Sequence, residues 1–268
     1  MLISRGRGEA THRSVPPETE LFMIKRLWLQ GVRYSLGLAA AAAILAPAAA
    51  YAQIRQVSSD HRQAVGFTLG GFFPNGEDSR VDDDVLFNDL DDLVFDIGDF
   101  KGPSVSGEWL FSLGDFLEAG VGAGFYQNTV HSVYRGFVNA NDSEIEQDLK
   151  LRIVPVTATV RFLPIGRGSV EPYVGAGIGA FNWRYSEVGE FVAPDSSIFR
   201  SKYEANGTAV GPVILAGIRA PIGDVWDIGG EIQYQHASGD TNSAESGLVG
   251  DKIDLGGIHA LVTMHIRF

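Results

Sequence analysis

IHALVTMHIRF, residues 258–268, alternates without a break. Ile258, Ala260, Val262, Met264, Ile266 and Phe268 fall on one face of an extended chain. His259, Leu261, Thr263, His265 and Arg267 fall on the other. An apolar outside, a mostly polar inside and a strand that runs to its own carboxyl terminus form the pattern of the closing strand of a membrane β-barrel. Alternation alone fits any half-buried strand, so the chain behind this segment has to decide.

That chain repeats a unit of alternating strand, turn, alternating strand and polar connection from Ala64 onward. Val65, Phe67 and Leu69 open it; Val105 to Leu113 and Leu117 to Phe125 follow around the tight turn Gly114-Asp115. A fourth segment runs from Leu149 to Phe162, a fifth starts near Pro172, a sixth covers roughly 208–220, and a seventh sets Ile228, Ile232 and Tyr234 against Glu231, Gln233 and Gln235. With the terminal segment the count is eight, and most segments approach the roughly 9–11 residues of a tilted membrane-spanning strand. Short connections are expected at 114–115, 163–171 and 221–225, and long ones at about 74–103, 127–147, 186–207 and 238–253. This parity is that of an outer-membrane barrel.

A soluble lipocalin-like barrel is the competing architecture, and it places apolar side chains inside. Here the face that carries charge holds Glu108, Glu118, Lys150, Arg152, Arg161, Arg219, Glu231, His265 and Arg267, whereas the opposite face is nearly continuous Val, Ala, Ile, Leu, Phe and Trp. That polarity is the membrane one. Pro155 cannot donate to a sheet ladder, and the apolar parity changes across it, from Leu149, Leu151 and Ile153 to Val156, Ala158, Val160 and Phe162. A β-bulge at Val154-Pro155 would return both sets to the lipid side.

Ahead of the barrel, residues 23–52 read as a secretory signal peptide. Lys25, Arg26 and Arg33 precede the apolar run Leu36 to Leu45, Pro47 breaks it, and Ala50-Tyr51-Ala52 forms an A-x-A cleavage site before Gln53. Residues 1–22 are polar and aperiodic and are expected to be an over-extended start, with Met23 as initiator. The remaining segment, 53–268, carries 15 Lys/Arg against 30 Asp/Glu and no cysteine. Such an acidic surface argues against a nucleic-acid partner, and the lack of thiols excludes disulfide and thiolate chemistry.

Three further features carry a resemblance: the A-Y-A site, Pro-Tyr-Val-Gly-Ala-Gly at 172–177, and Asp-Lys-Ile-Asp-Leu-Gly-Gly at 251–257 leading to Ile-Arg-Phe at 266–268. On these residues the chain resembles the small outer-membrane β-barrel proteins of Gram-negative bacteria, the OmpA-like and OmpW-like porin-family group. The resemblance implies an outer-membrane location. It also implies assembly by the outer-membrane insertion machinery, for which Met264, Ile266 and Phe268 would be the terminal signal. It implies little about activity, because one fold hosts many functions.

Three groups of residues are candidates for chemistry. Glu108, Glu118 and Glu231 are placed to pair with Arg152, Arg161, Arg219 and Arg267 across the interior, either as a polar filling or as a narrow pore gated by exchange of partners. The acidic stretch 74–103 suits loose divalent-cation bridging to lipopolysaccharide but lacks the spacing of an EF-hand loop. Within it Leu86, Leu90, Leu93 and Ile97 recur at the spacing of a short amphipathic helix across the barrel mouth. Finally, His236-Ala237-Ser238 resembles the His-x-Ser pair of outer-membrane lipid A deacylases, with Asp251 or Asp254 as the orienting acid. The deacylase pattern continues with Asn, whereas Gly239-Asp240 follows here.

The expectation is an all-β protein, an eight-stranded antiparallel up-and-down transmembrane β-barrel over 53–268. It is expected to be a non-enzymatic envelope protein without a cofactor or dedicated metal site. A narrow channel for small or hydrophobic solutes is the first alternative, and a lipid A-modifying hydrolase the remote one. The expected partners are outer-membrane lipids, lipopolysaccharide, the insertion machinery and divalent cations at the acidic loops.

Overall fold

In a computed structural model of the chain the described residues are 62–268; the expected leader, with Ala50, Ala52 and Gln53, lies outside them. Eight strands make the wall: β1 (Gln63–Pro74), β2 (Gly102–Ser112), β3 (Leu117–Val138), β4 (Glu144–Phe162), β5 (Glu171–Val192), β6 (Ile198–Ile222), β7 (Trp226–Gln235) and β8 (Gly257–Arg267). Each pairs antiparallel with its sequence neighbours, and β1 pairs with β8 from Ala64↔Arg267 to Pro74↔Gly257, which closes the ring. Closure removes every free edge along the membrane-spanning height, the condition for putting a sheet into hydrocarbon.

The terminal strand behaves as its alternation predicts. Met264, Ile266 and Phe268 stand on the outer face, and Phe268 exchanges backbone hydrogen bonds with Gln63 (2.9 and 3.2 Å). Outer positions near the short-turn end and at mid-height are bare and mostly apolar, with Val210 71% and Ile178 64% exposed. A contiguous apolar belt of this kind has no place on a water-soluble monomer. It is the surface a bilayer covers.

The wall is uneven in height. β1, β2, β7 and β8 have 10–12 residues, about what a bilayer requires, whereas β3 to β6 have 19–25. Two expected long loops, 127–147 and 186–207, are therefore mostly tall hairpins whose turns are only 139–143 and 193–197. Above the membrane the outer face meets water, so the apolar-outside signal stops although the strand pairing continues.

The same change of solvent corrects the expected bulge. Pairing between β3 and β4 runs in one register on both sides of Pro155, from Ala123↔Val156 to Tyr126↔Ile153, and β4 pairs with β5 continuously through Pro155↔Phe181. The proline merely interrupts the ladder opposite Gly124 and Phe125. Leu149, Leu151 and Ile153 accordingly face inward and are buried, instead of facing lipid. The real irregularity lies higher, between Val133 and Val138, where Gly136 has a φ of 77°.

The two remaining long connections fold over the barrel mouth. Residues 75–101 form a helical turn (Val85–Asn88), three 3-10 turns (Glu77–Ser79, Asp89–Asp91 and Ile97–Phe100) and a two-residue strand, Leu93–Val94. The expected single amphipathic helix is thus broken into turns, because Asp84 and Asp96 cap successive short pieces instead of continuing one long one. Leu93–Val94 pairs with Tyr134 and Val133 on the part of β3 that rises above the shorter β2, and so covers an otherwise open edge. In the other connection, 236–256, Ser238–Asp240 pairs with Lys252–Asp254.

Candidate functional site

The interior is built in two layers. The lower one, between the short turns and mid-height, is ionic. Parity sends Glu108 and Glu118 inward from β2 and β3, Arg161 from β4, Glu171 and Tyr173 from β5, Arg219 from β6, Asp227 and Glu231 from β7, and His265 and Arg267 from β8. Arg219 is the hub, with Nη2 2.8 Å from Glu118 Oε1 and Nε 2.8 Å from Glu171 Oε2. Arg167, from the turn below, reaches the same Glu118 oxygen at 2.8 Å. Arg267 joins Glu171 (3.0 Å) and, through Nε, Asp227.

A second string shares the layer. Arg161 binds Glu108 and lies 3.1 Å from Glu231, while His265 Nε2 is 2.7 Å from the other Glu108 oxygen. Tyr173 links the two strings. Its hydroxyl donates to Glu231 Oε2 at 2.9 Å, and the Arg161 and Arg219 guanidinium groups lie 5.0 and 5.6 Å from its ring centroid. The ring fits because Gly217 faces it: a Cβ there would meet the phenol at 2.4 Å. Five carboxylates thus meet four guanidinium groups and an imidazole, each held by at least one opposite partner. Buried charge is tolerable only in such an arrangement.

The upper layer is apolar. Leu149, Leu151 and Ile153 from β4 meet Phe181, Trp183 and Tyr185 from β5, Tyr126 and Val130 from β3, and Ala205, Ala209 and Val213 from β6. Val85, Leu86, Leu93 and Phe100 of one connection and Leu248, Ile253 and Leu255 of the other pack onto this surface as a lid. The two connections are joined through Asp84, which is fully buried. It accepts from Arg80 (2.7 and 3.0 Å), from Phe87 N (3.1 Å) and from Asp254 N (2.5 Å). Arg80 in turn donates to the Asp254 carbonyl at 3.0 Å.

One acidic cluster is buried in the lid. Tyr185 donates to Asp89 at 2.9 Å, and Glu187 stands beside them. Burial, reinforced by the Glu187 charge, pushes the Asp89 carboxyl up, and burial raises Glu187 to about 7. The remaining acids of 75–101 are mostly exposed, and among the described residues no group of three or more His, Asp or Glu side chains converges as a metal site.

Between the layers is a cavity of about 40 Å³, bounded by Glu108, Arg161 and Glu231 below and by Phe72, Tyr126 and Ile153 above. It has room for a few waters. His259 lines it: Nε2 lies 3.1 Å from Gln235 Oε1 and Nδ1 3.0 Å from Ser104 Oγ, contacts that one neutral tautomer satisfies together.

Of the expected lumen residues, Glu108, Glu118, Arg161, Arg219, Glu231 and Arg267 converge. Arg152 does not. It lies opposite Arg184 on the outer face, because the continuous register keeps its parity with Val154 and Val156. Glu171, Asp227, Arg167 and Tyr173 were missed by the sequence reading, which began β5 at Pro172 and β7 at Ile228. Extending each strand by one residue toward the short turns adds Glu171 and Asp227, and Tyr173, already within the read segment, shares the inward parity of Gly175, Gly177 and Gly179. Arg167 lies in a turn and had no periodic signal. His236 and Ser238 are both exposed at the upper end of β7, yet neither expected acid serves them. Asp251 accepts from Ser243, and Asp254 accepts from Asn75 and the Gly256 backbone.

A model of the outer membrane protein beta-barrel domain matches residues 36–257. No curated protein matches the chain significantly. Among solved structures, the outer membrane protein OprG of Pseudomonas aeruginosa is similar at 12% identity and TM-score 0.46, covering 78% of this chain and 96% of its own. Neisserial surface protein A is similar at 13% identity and TM-score 0.43, covering 77% and 96%. At that level the likenesses carry no argument about activity.

Proposed function

We propose, from the premise that the chain belongs to the outer membrane protein beta-barrel domain family, that it is a non-enzymatic surface barrel with a closed lumen. It is an integral β-barrel protein of the outer membrane. The observation that carries the finer reading is double closure. The Arg219-centred ion-pair layer fills the lower half, and the lid of Val85, Leu86, Leu93, Phe100 and Leu255 fills the upper one. An eight-stranded barrel has little bore to spare, and the space between the layers is a cavity of only about 40 Å³.

Conduction would require both layers to move: the lid would have to lift, and several buried ion pairs would have to exchange partners. A narrow channel for small or hydrophobic solutes is therefore the weaker reading. Single-channel recording of the mature chain in planar bilayers separates the two. No conductance steps are expected, and regular steps would overturn the closed-lumen reading. The hydrolase alternative loses its support because His236 has neither Asp251 nor Asp254 as a partner. Lipid A from cells expressing wild type and Ser238→Ala is expected to have the same acyl count by mass spectrometry; a difference would restore that reading. Exposed Phe268, with Met264 and Ile266 on the same face, supports recognition by the insertion machinery. The exposed acids of 75–101 leave loose divalent bridging to lipopolysaccharide as a proposed contact.

A further inference from the structure

We propose that the outer wall of β3 to β6 carries a binding site for the phosphate-bearing headgroup of an outer-leaflet lipid, formed by Lys150, Arg152, Arg184 and Lys202. The inference rests on the outer-membrane location and is independent of whether the lumen conducts. These four side chains border a groove of about 250 Å³ together with Gln127, Ser186, Val188 and Glu204. Strand register places them. Arg152 is directly opposite Arg184, Lys150 is opposite Ser186, and Ser186 and Val188 are opposite Glu204 and Lys202.

Charge is the first argument. In a segment with twice as many acids as bases, four cations here surround a single carboxylate. Glu204 engages Arg184 Nε at 3.2 Å and Lys202 Nζ at 2.5 Å. Among the described residues no carboxylate lies within salt-bridge distance of Lys150 or Arg152, and Arg152 Nε, although shielded from solvent, has no hydrogen-bond partner. The adjacent Asp148 is taken by His131 Nδ1 at 3.0 Å. Like charges directly opposite each other across a ladder destabilise a sheet. A bound anion between Arg152 and Arg184 converts that repulsion into two attractions. Guanidinium forks suit phosphate oxygens, and the two lysines add point charge.

Position selects the occupant. The site is on the side of the tall hairpins, opposite the short turns, and therefore on the outer leaflet. Arg152 stands two residues, about 7 Å along the strand, above Val154. Below that the outer face continues as Val156, Ala158, Val160 and Phe162, and the neighbouring strands present Ile178 and Val210. A lipid whose chains cover that belt brings its headgroup phosphate to the level of the groove. A soluble anion would share the charge but not the belt.

The test uses the mature chain, refolded in detergent and checked by its heat-modifiable gel mobility. Native mass spectrometry measures retention of diphosphorylated lipid A against the same lipid after phosphatase treatment. Wild type is expected to retain the phosphorylated lipid about tenfold more strongly, about 1.4 kcal/mol. The K150Q/R152Q/R184Q/K202Q variant is expected to lose that preference, whereas R135Q/R200Q, which removes exposed cations elsewhere, is expected to keep it. Equal retention of the two lipids by wild type overturns the proposal, and so does an unchanged preference in the fourfold variant. Should that variant not refold, the lipid pair on wild type and single R152Q decide. Complete displacement of the lipid by millimolar inorganic phosphate would assign the groove to a free anion and overturn the lipid reading.

Discussion

Below Pro155 the inward face of β4 carries Thr157, Thr159 and Arg161, and its outward face carries Val156, Ala158, Val160 and Phe162. Above Pro155 the same strand, in the same register, carries Ile153, Leu151 and Leu149 inward and Val154, Arg152, Lys150 and Asp148 outward. The two halves of the barrel are thus built on opposite rules. In hydrocarbon the wall is apolar outside, so polar groups must satisfy one another inside. In water the wall is polar outside, and the interior is a hydrophobic core like that of a soluble barrel. The crossing point of the two rules marks the outer surface of the membrane. Just above it lie the outward arginines Arg152 and Arg184.

Damage to each half has a different signature. The largest effect is expected in the ionic layer. Arg219→Met removes the partner that Glu118 and Glu171 share and leaves them only Arg167 and Arg267, and loss of one member of a buried pair costs about 3–5 kcal/mol. Urea unfolding in lipid vesicles, followed by tryptophan fluorescence, should show that loss as a global one. A shift much below this range would mean that water already solvates the layer.

A smaller, local effect is expected in the lid. Leu86→Ala removes a fully buried side chain from the apolar cluster. It should cost about 2–3 kcal/mol, at the low end for a core truncation, because the lid can adjust beside solvent. Amide exchange should accelerate across 85–100 and leave β1 and β8 unchanged. Equal acceleration in the wall would show that the two halves open as one unit, and the distinction between them would fail.

The smallest effect is a dependence on pH. Glu187 is raised to about 7 by burial, and Asp89 is raised as well, with Tyr185 bonded to it and Asp84 adding negative charge nearby. A carboxyl whose folded pKa is raised supports the fold fully below its unfolded value, near 4.5, and loses that support as pH rises through about 7. Exchange in 85–100, corrected for its intrinsic pH dependence, should therefore quicken above neutrality, and Glu187→Gln should flatten the response. A lid equally protected on both sides of that pH would remove the acidic cluster from its energetics.

Local pattern determined much of this protein. Alternation identified the eight strands, their lipid faces and the closing role of 258–268, because period-two polarity is a property of the strand itself once one side is hydrocarbon. It also located six of the lumen charges. Tertiary structure decided where that polarity reverses. Leu149, Leu151 and Ile153 look lipid-facing by composition, and only the unbroken pairing of β4 with β5 shows them inside. Likewise Arg152 belongs to the outer wall, and Glu171 and Asp227 belong to the network. The physical reason is that parity assigns a side chain to one of two faces, whereas the solvent on each face depends on the height of the residue in the assembled barrel. Phe268 could be read from its own neighbours; the partners of Arg219, drawn from β3 and β5, exist only once the ring is closed.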